Sequence, residues 1–317
     1  MAMIEVKNLK KYFEIGKDAK VHAVDNISLD IQEKEIIGLV GESGSGKSTF
    51  GRTLCGLWDK TEGEVFYRGE KLPSNYGPKD YKKFSKKIQM IFQDPYSSLN
   101  PRMTVKEIIG EGLKLHGKIS DKELTEKVAF WLRRVGLEPD HMSRYPHEFS
   151  GGQRQRIGIA RALIVEPDFV VCDEPISALD VSVQAQVVNL LEEIKNSLGL
   201  TLLFIAHDLS MVRYVSDRMA VMYLGSMVEL GPTNDVYFRP KHPYTQLLIQ
   251  SNPEPDPQGE RERASVGIKG EIPSPINIGA GCRFAGRCPH ATERCQKETP
   301  KWKEIAEKHF AACHLYD

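Results

Sequence analysis

Residues 41–49 have the types and spacing needed to hold the phosphates of a nucleotide: Gly-Glu-Ser-Gly-Ser-Gly-Lys-Ser-Thr. They follow an apolar run at residues 35–40, which predicts a buried strand, and precede residues 50–57, whose apolar spacing predicts a helix. Strand, Gly-x4-Gly-Lys-Ser/Thr and helix form the context of a P-loop, whose glycines let backbone N–H groups turn toward an anion. We expect Lys47 to reach the β- and γ-phosphates and the Ser48 hydroxyl to bind Mg²⁺. The predicted cradle consists of Ser43, Gly44, Ser45, Gly46, Lys47, Ser48 and Thr49.

Two adjacent carboxylates end a second apolar run, Phe-Val-Val-Cys-Asp-Glu-Pro at residues 169–175. A run that is apolar throughout is typical of a central strand in a parallel sheet. Asp173 can hold Mg²⁺ through water, and Glu174 can accept the proton of the water that attacks the γ-phosphate. The alternative is a solvated strand end. Because the same chain carries a P-loop, the pattern favours the catalytic interpretation.

Gln93 and His207 also follow predicted strands, at residues 88–92 and 202–206. Open α/β sheets bind ligands at the carboxyl ends of their strands, so both side chains are candidates for the same site. The Gln93 amide can join Mg²⁺ or the attacking water, and His207 can contact the γ-phosphate. The alternatives are an exposed glutamine in a turn and a histidine with a structural or exposed role.

Ser150, Gly151, Gly152 and Gln153 precede a long predicted helix and form a second possible anion site at a helix N-terminus. One nucleotide does not need two cradles in one chain, so the second would serve a nucleotide bound mainly elsewhere, for instance on a partner copy. The alternative is that Ser150 only caps the helix and the glycines admit the turn. Asp180 opens the next predicted helix as its N-cap.

The elements that must position these residues include a small antiparallel sheet and an inserted helical region. Residues 1–35 and 61–69 predict the strands of that sheet. Phe13, or Tyr12 as its alternate, is a candidate for stacking on the nucleotide base; the alternative is a core role. Residues 104–144 have helical periodicity between Pro101 and Pro146, which predicts a helical subdomain at about residues 100–165.

The composition limits the classes of protein to consider. A chain of 317 residues is long enough for about two domains. Its 43 Lys and Arg balance 43 Asp and Glu, so no net charge attracts nucleic acid or an anionic membrane. The N-terminus shows no secretory signal, and no run of about 20 uncharged apolar residues predicts a membrane span. We therefore expect a soluble, cytoplasmic protein.

Taken together, the motifs resemble those of the nucleotide-binding subunit of an ABC transporter, over residues 3 to about 240. The resemblance matches residues 41–49 to Walker A, Gln93 to the Q-loop, 150–153 to the signature motif, 169–173 to Walker B, Glu174 to the catalytic glutamate, 177–180 to the D-loop and His207 to the switch histidine. Phe149 stands where leucine is commoner, before the signature motif.

This resemblance implies an α/β fold in the P-loop NTPase class. It consists of a RecA-like core sheet, an N-terminal antiparallel β subdomain and an inserted helical subdomain, with the ABC ATPase domain at residues 1–240. It also implies a head-to-tail dimer in which each ATP lies between one chain's P-loop and the other chain's signature motif. That arrangement explains why one chain carries two cradles.

The last part of the sequence resembles the C-terminal extension of oligopeptide and dipeptide importer ATPases. The matching segments are Arg-Pro-Lys-His-Pro-Tyr-Thr-Gln-Leu-Leu at residues 239–248 and Gly-Glu-Ile-Pro-Ser-Pro at residues 270–275. The dipeptide-importer subgroup is the nearest match. We therefore expect a small extension at residues 241–317, with a linker rich in Pro, Gly and charge at residues 252–275.

Four of the six cysteines lie in this extension, at spacings x5, x6 and x17: Cys282, Cys288, Cys295 and Cys313. Grouped thiolates in a reducing compartment suggest a metal before disulfides. Structural zinc usually shows Cys-x2-4-Cys pairs, which this sequence lacks. Four thiolates also suit a [4Fe–4S] cluster, which the family resemblance, including the Cys288-Pro289 pair, favours. Zinc and free thiols are the alternatives.

The resemblance implies an ATPase that powers the import of dipeptides or oligopeptides from the cytoplasmic face of the membrane, as a peripheral subunit. The implied partners are a second ABC ATPase subunit, two transmembrane permease subunits and, indirectly, an extracellular substrate-binding protein, with no nucleic acid. Import of nickel or sugars is an alternative, because relatives with this tail also move those substrates. Soluble ABC ATPases of DNA repair or translation are another, but they typically carry coiled-coil insertions or tandem cassettes, which this sequence lacks.

Overall fold

The computed structural model describes residues 2–251 and 273–317. Its strands are β1 (Ala2–Ile15), β2 (Ala19–Gln32), β3 (Ile36–Val40), β4 (Glu62–Tyr67), β5 (Glu70–Lys71), β6 (Ile88–Ile91), β7 (Phe169–Asp173), β8 (Thr201–Ile205), β9 (Arg218–Tyr223), β10 (Ser226–Pro232), β11 (Trp302–Ala306) and β12 (His309–Ala312). Its α-helices are α1 (Lys47–Leu54), α2 (Pro78–Phe84), α3 (Val105–His116), α4 (Asp121–Arg134), α5 (Gly151–Leu163), α6 (Val181–Leu198), α7 (Leu209–Val215), α8 (Thr233–Phe238), α9 (Pro243–Gln250) and α10 (Glu293–Lys297).

The core sheet carries the functional residues at the ends of its parallel strands. Its strand order is β11-β12-β10-β9-β3-β8-β7-β6, and the five strands from β9 to β6 pair in parallel. Every residue of β3, β7 and β8 is buried, which explains why these strands are largely apolar. The carboxyl ends of β3, β6, β7 and β8 therefore lie along one edge, where the predicted site residues begin.

A second sheet packs against one side of the core sheet and against α1. It is antiparallel in the order β2-β1-β4-β5. Its buried residues pack with those of α1 and of the facing side of the core sheet in one hydrophobic cluster. The predicted antiparallel β subdomain is confirmed, with β1, β2 and β4 within the predicted residues 1–35 and 61–69.

Helices α3, α4 and α5 form the inserted helical region between β6 and β7, within the predicted range of residues 100–165. Thr104 and Ser120 cap α3 and α4, each accepting a hydrogen bond from the backbone N–H three residues on. Their apolar faces pack together around Val128, Leu132 and Ile157. None of the described helices is both long and apolar enough to cross a membrane.

The C-terminal extension continues the core sheet, which the sequence did not predict. Strand β12 pairs with β10 and β11 pairs with β12, both antiparallel. Helix α9 is also buried against the core through Tyr244. The part of the extension described from residue 241 onward therefore packs on the ATPase core and adds two strands to its sheet. Most of the predicted linker, residues 252–272, lies outside the described residues.

Candidate functional site

The P-loop joins buried β3 to α1 in a conformation that requires glycine. Gly46 has φ 100° and caps α1, and a Cβ there would lie 1.9 Å from the carbonyl oxygen of Ala23. At Gly41, with φ 154°, a Cβ would lie 2.2 Å from the carbonyl oxygen of Met222. The loop can therefore turn its backbone N–H groups toward an anion only because these positions lack side chains.

Lys47 lies inside the loop rather than extending into solvent. Its Nζ donates hydrogen bonds to the carbonyl oxygens of Gly41, at 2.7 Å, and Glu42, at 3.0 Å. Burial lowers the pKa of Lys47, and the negative charges of Glu174, Asp173 and Glu42 only partly offset that effect. Bound phosphates would add further negative charge around the ammonium, which is consistent with the predicted role of this lysine.

Ser48 and Asp173 meet at the point where Mg²⁺ was predicted. The Ser48 hydroxyl donates to Asp173 Oδ1 at 2.6 Å, and Arg52 lies 3.6 Å from the other carboxylate oxygen. That oxygen, Oδ2, is buried without a hydrogen-bond partner among the described residues, and burial raises the pKa of Asp173. A hydroxyl and an unsatisfied carboxylate oxygen are ligands that suit Mg²⁺ and its bound water, so these residues fit the ion.

Glu174 is brought together with the two other predicted catalytic residues. Its Oε2 accepts a hydrogen bond from Gln93 Nε2 at 2.7 Å and lies 3.7 Å from His207 Nδ1. Its backbone has φ 44°, and its N–H donates to the carbonyl oxygen of Ile205 at 3.0 Å. A left-handed glutamate at a strand end is strained, and strain of this kind concentrates at functional sites.

A cavity of about 480 Å³ lies between these groups and the antiparallel sheet. Its lining includes residues of the P-loop, the three predicted catalytic residues, and Phe13, Val21, Ala23 and Pro275. Pro275 was not predicted. It reaches the cavity because its carbonyl oxygen accepts from the backbone N–H of His22 on β2, at 3.0 Å. No local pattern around a proline in a linker-like segment could have identified this contact.

Of the two predicted base-stacking residues, only Phe13 lines this cavity. Tyr12 points the other way, because successive side chains on β1 alternate between faces. Its ring stacks on His22, with the ring centroids 4.1 Å apart, and its hydroxyl donates to Asp25. Of the two aromatic candidates, Phe13 is therefore the one placed to contact a nucleotide in this cavity, and Tyr12 is not.

The signature residues lie at the N-terminus of α5 and are not among the residues described as lining the nucleotide cavity. The exposed Ser150 accepts from the backbone N–H of Gln153 at 3.3 Å, and Gln153 Oε1 accepts from that of Ser150 at 3.0 Å. Ser150 therefore caps α5, as one of the two alternatives held, and the anion site for a partner's nucleotide stays a prediction. Asp180 is exposed at the N-cap of α6, without a capping bond from its side chain.

The four cysteines of the extension surround a second, smaller cavity of about 100 Å³. All four are free and partly buried, and burial raises the pKa of the Cys282 thiol to about 11. Across residues 2–251 and 273–317, no group of three His, Cys, Asp or Glu side chains has the geometry to hold a metal ion. The four cysteines therefore line one cavity but do not form a preformed metal site among the described residues.

A P-loop with a Walker B carboxylate pair, a helical insertion and an antiparallel sheet over the base side define the class of ABC ATPase cassettes. The family described as ABC transporter matches residues 24–177, and the oligopeptide/dipeptide transporter C-terminal region matches residues 228–295. The chain belongs to the ABC transporter family and carries that C-terminal region. The resemblance inferred from the motifs is thereby confirmed.

Curated relatives match along nearly the whole chain. The oligopeptide transport ATP-binding protein AppF of Bacillus subtilis is 50% identical, over 99% of this chain and 97% of its own length. OppF of Escherichia coli, with the same description, is also 50% identical, over 99% of this chain and 96% of its own length.

Solved structures match the ATPase part. The dimeric post-hydrolysis state of the cassette MJ0796, bound to ADP and Pi, is 30% identical with a TM-score of 0.67, covering 73% of this chain and 99% of that one. CbiO1 of Clostridium perfringens is 27% identical with a TM-score of 0.66, covering 75% of this chain and 91% of that one.

Proposed function

We propose that this chain binds and hydrolyses ATP to power the import of dipeptides or oligopeptides through a membrane transporter. The observation that carries the proposal is the group formed by Glu174, Gln93 and His207 beside the P-loop, in a chain half identical to oligopeptide transport ATP-binding proteins. This group supplies a candidate general base and two polar side chains that can orient the attacking water.

The residues divide the chemistry between binding and proton transfer. The P-loop N–H groups and Lys47 hold the phosphates, and Lys47 offsets charge that develops on the γ-phosphate. Glu174 polarises the attacking water and accepts its proton, while Gln93 and His207 orient that water and contact the γ-phosphate. Mg²⁺, when bound at Ser48 and Asp173, with Gln93 as a further ligand, supplies Lewis-acid stabilisation of the phosphate charge. Phe13 stacks on the base.

The proposed active unit is a dimer of cassettes, in which Ser150–Gln153 and Asp180 of one chain complete the ATP site of the other. The structure of MJ0796 is a dimer, and the exposed N-terminus of α5 supports the same arrangement. The dimer would bind two permease subunits as a peripheral complex at the cytoplasmic face, coupled indirectly to an extracellular binding protein. We propose no nucleic-acid partner.

The catalytic assignment is tested with Glu174→Gln, which keeps the size of the side chain but removes the base. We expect ATP to bind with near-normal affinity and turnover to fall about 10²-fold or more. Glu166→Gln is the matched control, because Glu166 is an exposed glutamate that also has positive φ, at 55°. Near-normal hydrolysis by Glu174→Gln would remove Glu174 from its role.

The transport assignment is tested in proteoliposomes that contain the permeases, the cassettes and the binding protein. Dipeptides or oligopeptides should stimulate ATP hydrolysis and accumulate inside the vesicles, whereas nickel and sugars should do neither. Stimulation by nickel or by a sugar in place of peptides would refute the proposed substrate class while leaving the ATPase assignment intact.

We also propose that Cys282, Cys288, Cys295 and Cys313 hold a [4Fe–4S] cluster. The four cysteines line one cavity of about 100 Å³, and four thiolates are the usual ligand set of such a cluster, which supports the proposal. Anaerobically purified protein should be brown and contain iron and sulfide near four per chain, and Cys288→Ser should lose both, unlike the Cys55→Ser control. Colourless protein with one zinc would refute the cluster.

A further inference from the structure

Glu42 of the P-loop is held by two residues that come from the C-terminal extension. Its backbone N–H donates to the Tyr244 hydroxyl at 2.9 Å. Its two carboxylate oxygens accept from Nη1 and Nη2 of Arg287, at 2.8 and 2.9 Å. The carbonyl oxygen of the same residue accepts from Lys47 Nζ. The proposed hydrolysis mechanism does not use Tyr244 or Arg287.

The contact between Glu42 and Arg287 is shielded from solvent, so it fixes the loop more firmly than a surface ion pair would. The Arg287 side chain is 5% exposed and that of Glu42 is 18% exposed. Paired hydrogen bonds between a guanidinium and a carboxylate fix both distance and orientation. Glu42 therefore has one defined position relative to the extension.

The loop between the first two cysteines of the extension, residues 282–288, contacts the P-loop region at both of its ends. Arg287 precedes Cys288 and reaches Glu42. Arg283 follows Cys282 and donates to Asp25 and to the carbonyl oxygen of Leu224. Gly225 follows Leu224 in the chain, and its backbone N–H donates to the carbonyl oxygen of Ser45 in the P-loop, at 2.9 Å.

We infer that residues 282–288 are a positioning element of the ATP site, and that Arg287 is the residue through which the cysteine site sets the affinity of the P-loop for ATP. The inference rests on ATP binding at the P-loop. A cradle of N–H groups binds phosphate tightly only when it is preorganised, and Arg287 with Tyr244 holds Glu42, the residue that immediately precedes that cradle. Without Arg287, the Glu42 carboxylate would be an unpaired negative charge next to that cradle and would oppose the binding of anionic phosphates there.

The test compares Arg287→Gln with Arg294→Gln in the full chain. Arg294 is the matched control because it also adjoins a cysteine and forms ion pairs, with Glu298 and Asp317, but not with the P-loop. For Arg287→Gln we expect the Kd of a fluorescent ATP analogue and the KM for ATP to rise about tenfold, with kcat changed less than about twofold. The control should stay within about twofold on all three quantities.

A merely structural role for Arg287 would lower the melting temperature and kcat and leave the Kd unchanged, which would overturn the inference. Glu42→Gln added to Arg287→Gln should recover much of the lost affinity, because it removes the unpaired charge. If Arg287→Gln does not fold, Arg287→Lys gives the same comparison, since lysine keeps the charge but cannot bind both carboxylate oxygens.

The link to the cysteine site is tested by Cys288→Ser, read out as ATP-analogue binding. We expect this variant to weaken binding when Arg287 is present and to add nothing in the Arg287→Gln background, because one contact carries both effects. Fully additive losses would overturn the link. Analogue binding is measured without turnover, so these results remain interpretable even if the catalytic or transport assignments fail.

Discussion

The Asp173 carboxyl is buried with one oxygen bonded to Ser48 and the other without a hydrogen-bond partner among the described residues. Because burial raises its pKa above the ordinary value of 3.8, the folded protein binds a proton there more readily than the unfolded chain. The contribution of this group to stability is therefore present below pH 3.8, the ordinary pKa, and is lost as the pH rises through the higher pKa of the folded state. At neutral pH the nucleotide-free protein carries a destabilising charge whose use is to bind Mg²⁺.

Asp173→Asn should therefore stabilise the protein while abolishing its activity. We expect the melting temperature of the nucleotide-free protein at pH 7 to rise by about 2–4 °C, and the added stabilisation by Mg²⁺ with ATP to disappear. Asp168→Asn is the control of opposite sign, because hydrogen bonds from Tyr67 and Lys87 outweigh burial and lower the pKa of Asp168. A lower melting temperature for Asp173→Asn would contradict this account.

Single substitutions at Phe13 and Tyr12 can test which of the two aromatic rings stacks on the nucleotide base. Stacking of an aromatic ring on a base is worth about 1–3 kcal/mol, so Phe13→Ala should raise the KM for ATP roughly tenfold. Tyr12→Phe removes only the hydroxyl that donates to Asp25, away from the cavity, and should leave the KM within about twofold. Equal effects of the two substitutions on the KM would show that the base lies elsewhere.

At the scale of elements, the attachment of the extension depends on one buried carboxylate on β10. Glu229 accepts hydrogen bonds from the backbone N–H groups of Lys241, at 2.7 Å, and His242, at 2.8 Å. It also lies 2.7 Å from Nε2 of His309, on β12. The start of α9 and the added strand β12 thus meet on one side chain, which explains how a tail that the sequence presented as separate becomes part of the core sheet.

Glu229→Gln should loosen this attachment. The N–H₂ group of the introduced glutamine would face a backbone N–H donor, so one of the hydrogen bonds that the carboxylate accepts would be lost. We expect the free energy of unfolding to fall by about 2–3 kcal/mol. Glu304→Gln is the control, since Glu304 is exposed on β11 and its one described bond accepts from the backbone N–H of Lys308. The measurement is thermal or urea unfolding, and equal midpoints for the two variants would argue against β12 as a structural strand.

For the whole molecule, the sequence predicted what local patterns encode. The runs at residues 35–40, 88–92, 169–173 and 202–206 predicted four of the five parallel strands. Three of them, β3, β7 and β8, are largely apolar because all of their residues are buried. The resemblance to ABC cassettes also rested on local motifs, and the match to the ABC transporter family confirmed it. The contact of Glu42 with Arg287 could not be predicted, because it joins residues 245 positions apart and depends on how the extension folds back.

The exposed N-terminus of α5 leads to a prediction about the assembly of two cassettes. In the Glu174→Gln background, where ATP should bind without turnover, we expect ATP to drive two cassettes together, as a doubled mass in light scattering. Adding Ser150→Arg should abolish that dimer but leave binding of the ATP analogue within about twofold, since Ser150 does not line the cavity of its own chain. Ser120→Arg is the matched control, because Ser120 caps α4 in the same way and both substitutions lose a cap worth about 1 kcal/mol. A dimer that survives Ser150→Arg, or that Ser120→Arg disrupts equally, would show that the signature motif does not close the ATP site of a partner.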